Sequence, residues 1–153
     1  MISMAGTRIG WNVTKDEYAY KNFENRRSYN TICCGIIDEI VGAIAMENYK
    51  KVWARARSIL APNKQMVYDW VKTQPHLSLH GDAKGTTCLI RYDYDITSTD
   101  MAVDAMEKAR ILLCHGACFD EEPAFRLGYG GFTDRNQLQE SLDALSDYLK
   151  TLE

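Results

Sequence analysis

Arg126 is the side chain whose chemistry stands out in this sequence, because packing alone would not ask for a cation there. Phe125, Leu127 and Tyr129 alternate with Arg126 and Gly128, and a period of two predicts a short strand with one apolar face. The opposite face then carries Arg126 beside a glycine that leaves room above the sheet. A guanidinium so placed meets a planar anion through two parallel hydrogen bonds, a geometry that favours Arg over Lys, so a bound carboxylate is the natural ligand. Asp120, Glu121 and Glu122 lie just upstream, and an internal ion pair with one of them fits the spacing equally well. Arg8 stands at the entry of a second alternating stretch, Ile9, Trp11 and Val13, and by itself reads as a strand-entry Arg paired with a surface carboxylate. Cys114, His115, Cys118 and His80 have metal-ligating types, but a zinc site takes four ligands at recognised spacings and this set lacks a second Cys pair. They are expected in core and loop, with no metal.

The elements that would position these arginines follow from periodicity. Ile9 to Val13 predicts a strand. Thr14-Lys15-Asp16-Glu17 has the form of a capping box, which starts a helix running through Tyr18 and Phe23 and closing at Arg26 and Arg27. Ile32, Ile36, Ile37, Ile40, Val41 and Ile44 recur at three- and four-residue steps, the mark of a helix with a broad buried face that belongs in a core. Gly35 and Gly42 each cost that helix about 0.5–1 kcal/mol relative to Ala, which predicts close packing against another backbone. Cys33 and Cys34 are read as filling core space on it.

From Val52 the helical period continues to Thr73, with Trp53 and Trp70 on its buried stripe, and Pro62 predicts a kink near 58–62 in preference to two separate helices. Gly81 to Gly85 is a turn, and Thr86 to Tyr94 a strand with Cys88, Ile90 and Tyr92 on one side. Ser98 or Thr99 caps a helix bearing Met101, Ala105, Met106 and Ala109 inward, which hands over to a strand at Ile111 to Cys114. Asp134 with Gln137 starts a last helix whose Leu138, Leu142, Leu145, Leu149 and Leu152 keep helical spacing. The fold class is α/β, a short sheet covered by helices and preceded by long N-terminal helices.

Composition narrows the function classes. Hydrophobic residues make up 46% and charged residues 25% of 153 residues, the balance of one globular domain with a real core. A net charge of −3 and a pI near 5.6 offer no electrostatic footprint for nucleic acid or an anionic membrane surface. The odd number of cysteines, five, has no disulfide-framework spacing and no signal peptide precedes it, so free thiols in a reducing cytoplasm are expected.

Ser3-Met4-Ala5-Gly6-Thr7-Arg8-Ile9-Gly10-Trp11 resembles the Ser-Leu-x-Gly-x-Arg-x-Gly-Trp segment of class I/II aminotransferases, the aspartate aminotransferase-like branch of fold type I pyridoxal-phosphate (PLP) enzymes. The resemblance continues through 27–31, 53–60, Gly85-Thr86-Thr87, 111–119 and Arg126-Leu127-Gly128-Tyr129, nearly the whole chain. Two separately spaced arginine motifs in order are far more specific than one short signature.

The resemblance implies that Arg8 binds the cofactor phosphate and that Arg126 holds the α-carboxylate of an amino-acid or 2-keto-acid substrate. Thr31, in a region lying near the subunit boundary in the family, is a candidate inter-subunit residue of a homodimer. The family's Schiff-base lysine would fall immediately before Met1, and no lysine here stands in a comparable motif. The expectation is therefore a carboxy-terminal portion without a catalytic residue of its own: 1–13 a remnant strand of the large domain, 14–73 helices, 74–153 the α/β small domain. Such a chain is expected to be inactive alone and to bind PLP weakly or not at all. A standalone, non-catalytic domain that binds a carboxylate or a partner chain is the alternative.

Overall fold

The computed structural model describes residues 4–153. Met1, Ile2 and Ser3, which open both the expected remnant strand and the arginine motif, lie outside the described residues. The chain forms two compact units, 1–56 and 57–153, each taken by itself below.

In the first unit a 3₁₀ turn at Ala5–Thr7 leads into irregular backbone up to helix α1 (Glu17–Asn30), then α2 (Ile36–Glu47) and the first residues of α3 (Tyr49–Thr73). Asp16 is the α1 N-cap, its carboxylate accepting from the amides of Tyr18 and Ala19 at 2.9 and 3.2 Å. Thr14 supports that cap from outside by accepting from the Asp16 amide, so the helix begins two residues later than a Thr14 capping box would start it. It also runs three residues past Arg27, to Asn30.

Three expectations fail in this unit. Residues 9–13 form no strand, because alternation becomes a strand only beside a pairing partner and the described residues supply none. The isoleucine stripe of α2 is not in a core: Ile36 and Ile37 are 73% exposed, Ile40 54% and Ile44 55%, and Ala45 alone in α2 is buried. Cys33 and Cys34 precede α2, Cys33 exposed and Cys34 half-buried. Gly35 is the N-cap of α2 and not an interior position, while a Cβ on Gly42 would lie 3.5 Å from the Ile9 side chain, so that approach is to a side chain and not to backbone.

The second unit holds the core. One unbroken α3 passes through Pro62 to Thr73, so two separate helices do not form. Four antiparallel strands follow in the spatial order β1 (Leu77–Leu79), β2 (Thr87–Tyr92), β4 (Ala124–Gly128), β3 (Cys114–His115), with α4 (Ser98–Ala109) and α5 (Arg135–Leu149) between and after them. The register pairs Cys88 with Leu127 and Ile90 with Phe125. These side chains, with Tyr92 and Leu77, make one face that is buried against Val67, Trp70, Met101, Ala105 and the α5 leucines Leu138, Leu142, Leu145 and Leu149. Each fully buried Leu contributes about 1.5–3 kcal/mol of transfer free energy.

Local details depart from the sequence reading by a residue or two. Thr97 caps α4 by accepting from the Asp100 amide, because Ser98, 1% exposed, is committed elsewhere. The strand expected at 111–114 pairs only from Cys114, Met106 is 47% exposed and Trp53 45% exposed. Asp134 caps α5 as expected. Asn63, 1% exposed on α3, donates to the carbonyls of Tyr129 and Phe132 at 3.0 and 2.8 Å, which ties the turn after β4 to the helix.

Candidate carboxylate site

Arg126 sits in β4 with its neighbours Phe125 and Leu127 buried and its own side chain exposed. It is hydrogen-bonded between strands on both sides, opposite Leu89 of β2 and Cys114 of β3, so cross-strand geometry fixes the direction of its side chain. The face it shares is that of Leu89, Arg91 and Thr87, away from the core. Its guanidinium lies over the Phe119 ring, 5.1 Å from the centroid, a cation–π contact that leaves in-plane donors for an anion.

The acidic loop before β4 does not neutralise it. Glu121 bonds Arg91 at 2.9 Å and lies 3.8 Å from His80, and the Arg91 hydrogen bond, aided by His80, holds its carboxyl below the ordinary range. Glu122 accepts from both the amide and the hydroxyl of Ser98, at 3.1 and 2.5 Å. The Ser98 oxygen accepts in turn from the Ala117 amide, which clamps the loop against the start of α4. Gly116 is needed in that loop, since a Cβ there would collide with the carbonyls of Glu121 and Ala124. Among the described residues no carboxylate pairs with Arg126, and the internal ion pair that the spacing allowed is not formed.

A cavity of about 230 Å³ opens at this end of the sheet, lined by Arg126, Arg110, Leu112, Phe132, Ser141 and Leu142 among others. It exists because β3 pairs only with Arg126 and Phe125, leaving the outer edge of β4 at Leu127 and Gly128 uncovered by a strand. Arg91, Phe119, Arg110 and the Ser98–Glu122 clamp were not singled out from the sequence. Phe119 carried a signal there as the last residue of a matched stretch, and Ser98 and Glu122 were named separately, one as a helix cap and the other as a possible partner of Arg126.

Arg8 and Thr31 belong to the other unit. Arg8 follows the 3₁₀ turn in the left-handed region at φ 50° and donates from Nη1 to the Ala5 carbonyl at 3.3 Å. It is exposed and, among the described residues, in no ion pair. Thr31 caps the end of α1, its amide donating to the Arg27 carbonyl, and it lines an open groove of about 830 Å³ with Trp11, Phe23 and Met46. His115 and Cys118 approach to 3.4 Å, and among the described residues no three potential ligands gather for a metal. No helix of the described residues is long and apolar enough to cross a membrane.

No family model and no curated relative matches the chain. Solved structures do match. A PLP-dependent aminotransferase from Streptococcus suis aligns at 26% identity and a TM-score of 0.86, over 99% of this chain and 40% of that one. Aspartate aminotransferase from Thermotoga maritima aligns at 19% identity and a TM-score of 0.78, over 97% and 37%. The PLP-dependent cyclase OrfR aligns at 20% identity and a TM-score of 0.82, over 98% and 41%. The chain therefore resembles, along nearly its whole length, PLP-dependent enzymes of the aspartate aminotransferase-like kind; it carries their small-domain fold and spans 37–41% of the length of these structures.

Proposed function

We propose that the chain is the carboxy-terminal portion of a PLP-dependent aminotransferase that moves an amino group between an amino acid and a 2-keto acid in the whole enzyme. Arg126 holds the substrate α-carboxylate. The observation that carries this reading is that Arg126 is exposed on a strand paired on both sides while Glu121 and Glu122 are engaged elsewhere. A buried or neutralised arginine would leave nothing for a ligand to bind. The fold alone leaves the reaction open, since a cyclase shares it; the 26%-identical aminotransferase favours transamination.

The residues present suit the phosphate end of PLP and no more. Arg8 spends one donor on the Ala5 carbonyl, and a guanidinium has five, so donors remain for a phosphate. When bound, PLP supplies the electron sink for chemistry at the substrate α-carbon. Arg126 orients the carboxylate, and no group of this chain moves the proton, because the lysine of the family motif is not among its residues. In this reading 1–13 comes from the edge of the large domain, 14–73 supplies helices and 74–153 the small domain. Thr31 lies at the subunit boundary of a cytoplasmic homodimer, and the exposed apolar side chains of the first unit are of the kind an assembly covers.

Incubating the purified 153-residue chain with PLP, an amino acid and a 2-keto acid is expected to give no transamination, and adding a polypeptide with the large domain and its lysine is expected to restore it. Turnover by the chain alone would overturn the proposal. The second reading, a standalone carboxylate-binding domain, draws on the closed core of 57–153. PLP titration followed by absorbance separates the two: saturable binding lost in Arg8→Ala supports the enzyme portion, and PLP indifference with intact carboxylate binding supports the standalone domain.

A further inference from the structure

We infer that Cys118 and His115 form a thiol–imidazole pair that makes Cys118 a site of reversible modification by low-molecular-weight disulfides. The Cys118 sulfur lies 3.4 Å from Nε2 and 3.7 Å from Nδ1 of His115. A neutral imidazole holds its proton on one nitrogen and accepts on the other, so either tautomer presents an acceptor within reach of the thiol. The thiolate is the nucleophile in disulfide exchange, and a base beside the thiol is what generates it. Nothing competes for this base. Of the three histidines in the sequence, His76 lies 2.6 Å from Asp93 and His80 3.8 Å from Glu121, whereas His115 pairs with no carboxylate among the described residues.

The other thiols supply the contrast. Cys88 is buried, and burial pushes its thiol up to about 11, which leaves it inert. Cys34 and Cys114 are half-buried. Cys33 is exposed, as Cys118 is, but it belongs to the first unit, which contains no histidine. The approach of Cys118 to His115 is also set in advance. Cys118 sits in the 3₁₀ turn Gly116–Phe119, where the Ala117 amide donates to Ser98 and the Glu121 amide to the Gly116 carbonyl at 3.2 Å. His115 precedes that turn and makes no side-chain cap bond to it, so its ring can be replaced without loss of a backbone hydrogen bond.

In the exchange the Cys118 proton passes to His115 and the thiolate attacks one sulfur of the disulfide. The reagent's sulfur–sulfur bond breaks as the new one forms, and the departing thiolate takes the proton from the imidazolium. Cys118 is oxidised to a mixed disulfide and the leaving half is reduced to a thiol; an excess of small thiol runs the step backwards. The adduct is attached to the residue next to Phe119, the ring that carries the Arg126 guanidinium, but the inference stands whatever Arg126 binds.

The test is treatment of the 153-residue chain with bis(2-hydroxyethyl) disulfide, a neutral probe, followed by an acid quench and peptide mapping by mass spectrometry. Near neutral pH Cys118 is expected to react at least about tenfold faster than Cys33, and dithiothreitol should return the free thiol. His115→Gln, whose amide stays polar but takes no proton, should slow Cys118 about tenfold and leave Cys33 unchanged, with the circular dichroism of the parent. Added imidazole should restore part of the rate in His115→Ala. In urea the advantage of Cys118 over Cys33 should vanish, because unfolding separates the pair. Equal rates at the two cysteines, a parental rate in His115→Gln, or an advantage that persists in urea would each overturn the inference.

Discussion

Helices α2 and α5 carry the same signal and meet opposite fates. Each has branched apolar residues at steps of three and four, Ile36 to Ile44 in one and Leu138 to Leu149 in the other. The leucines are about 1% exposed and the isoleucines between 54% and 73%. Periodicity reports that a face is fit to be buried; whether it is buried depends on another apolar surface being there to meet it. For α5 that surface is the inward face of β2 and β4. For α2 the described residues of its own unit bring Ile9 to Gly42 and bury Ala45, and they leave the isoleucines exposed.

The sharpest way to break this comparison is truncation at equivalent points. Leu142→Ala removes a fully buried side chain and should destabilise 57–153 by about 2–5 kcal/mol. Ile40→Ala should change stability by less than about 0.5 kcal/mol, since its side chain is 54% exposed. Urea denaturation followed by circular dichroism reads both, and equal losses would mean that α2 is packed in solution. Asn63→Ala comes next: it strips the partner from the carbonyls of Tyr129 and Phe132, for an expected loss of about 1–3 kcal/mol. A variant as stable as the parent would show that the turn after β4 needs no tether.

A further effect is alkaline. Burial pushes the Cys88 thiol from 9.0 up to about 11 and the Tyr92 hydroxyl from 10.0 up to about 12. Because the folded values lie above the unfolded ones, their contribution is complete below pH 9 and is lost as pH rises through 11 and 12. Cys88 alone should cost about 1 kcal/mol between pH 8 and 10. Denaturation at stepped pH should show the fall, and Cys88→Ala should flatten it; an unaltered slope would place the cause elsewhere.

Much of the second unit was legible beforehand. The alternation around Arg126 gave β4 and its exposed arginine, Cys88, Ile90 and Tyr92 gave β2, and Asp134 gave the start of α5. Strand β1 was missed because three residues are too few for a period to show. Whether Arg126 pairs internally was undecidable from spacing, since Glu121 is claimed by Arg91, 30 positions away and brought close only by the sheet. Arg110 escaped notice for a similar reason: the cavity it lines is closed by residues from β4 and α5. In the first unit the strand at 9–13 and the buried isoleucines both presupposed partners, and a pattern of side chains carries no record of whether its partner is present.

The double pairing of Arg126 has a thermodynamic corollary. An arginine on a loose loop must give up backbone freedom, about 1–2 kcal/mol per residue, when it captures an anion. Arg126 surrendered that freedom when β2, β4 and β3 came together, and Phe119 further restricts where its guanidinium can go. On the proposed role of Arg126, recognition is thus coupled to folding: substitutions far from the arginine that loosen the sheet should weaken carboxylate binding in proportion to the folded fraction they remove.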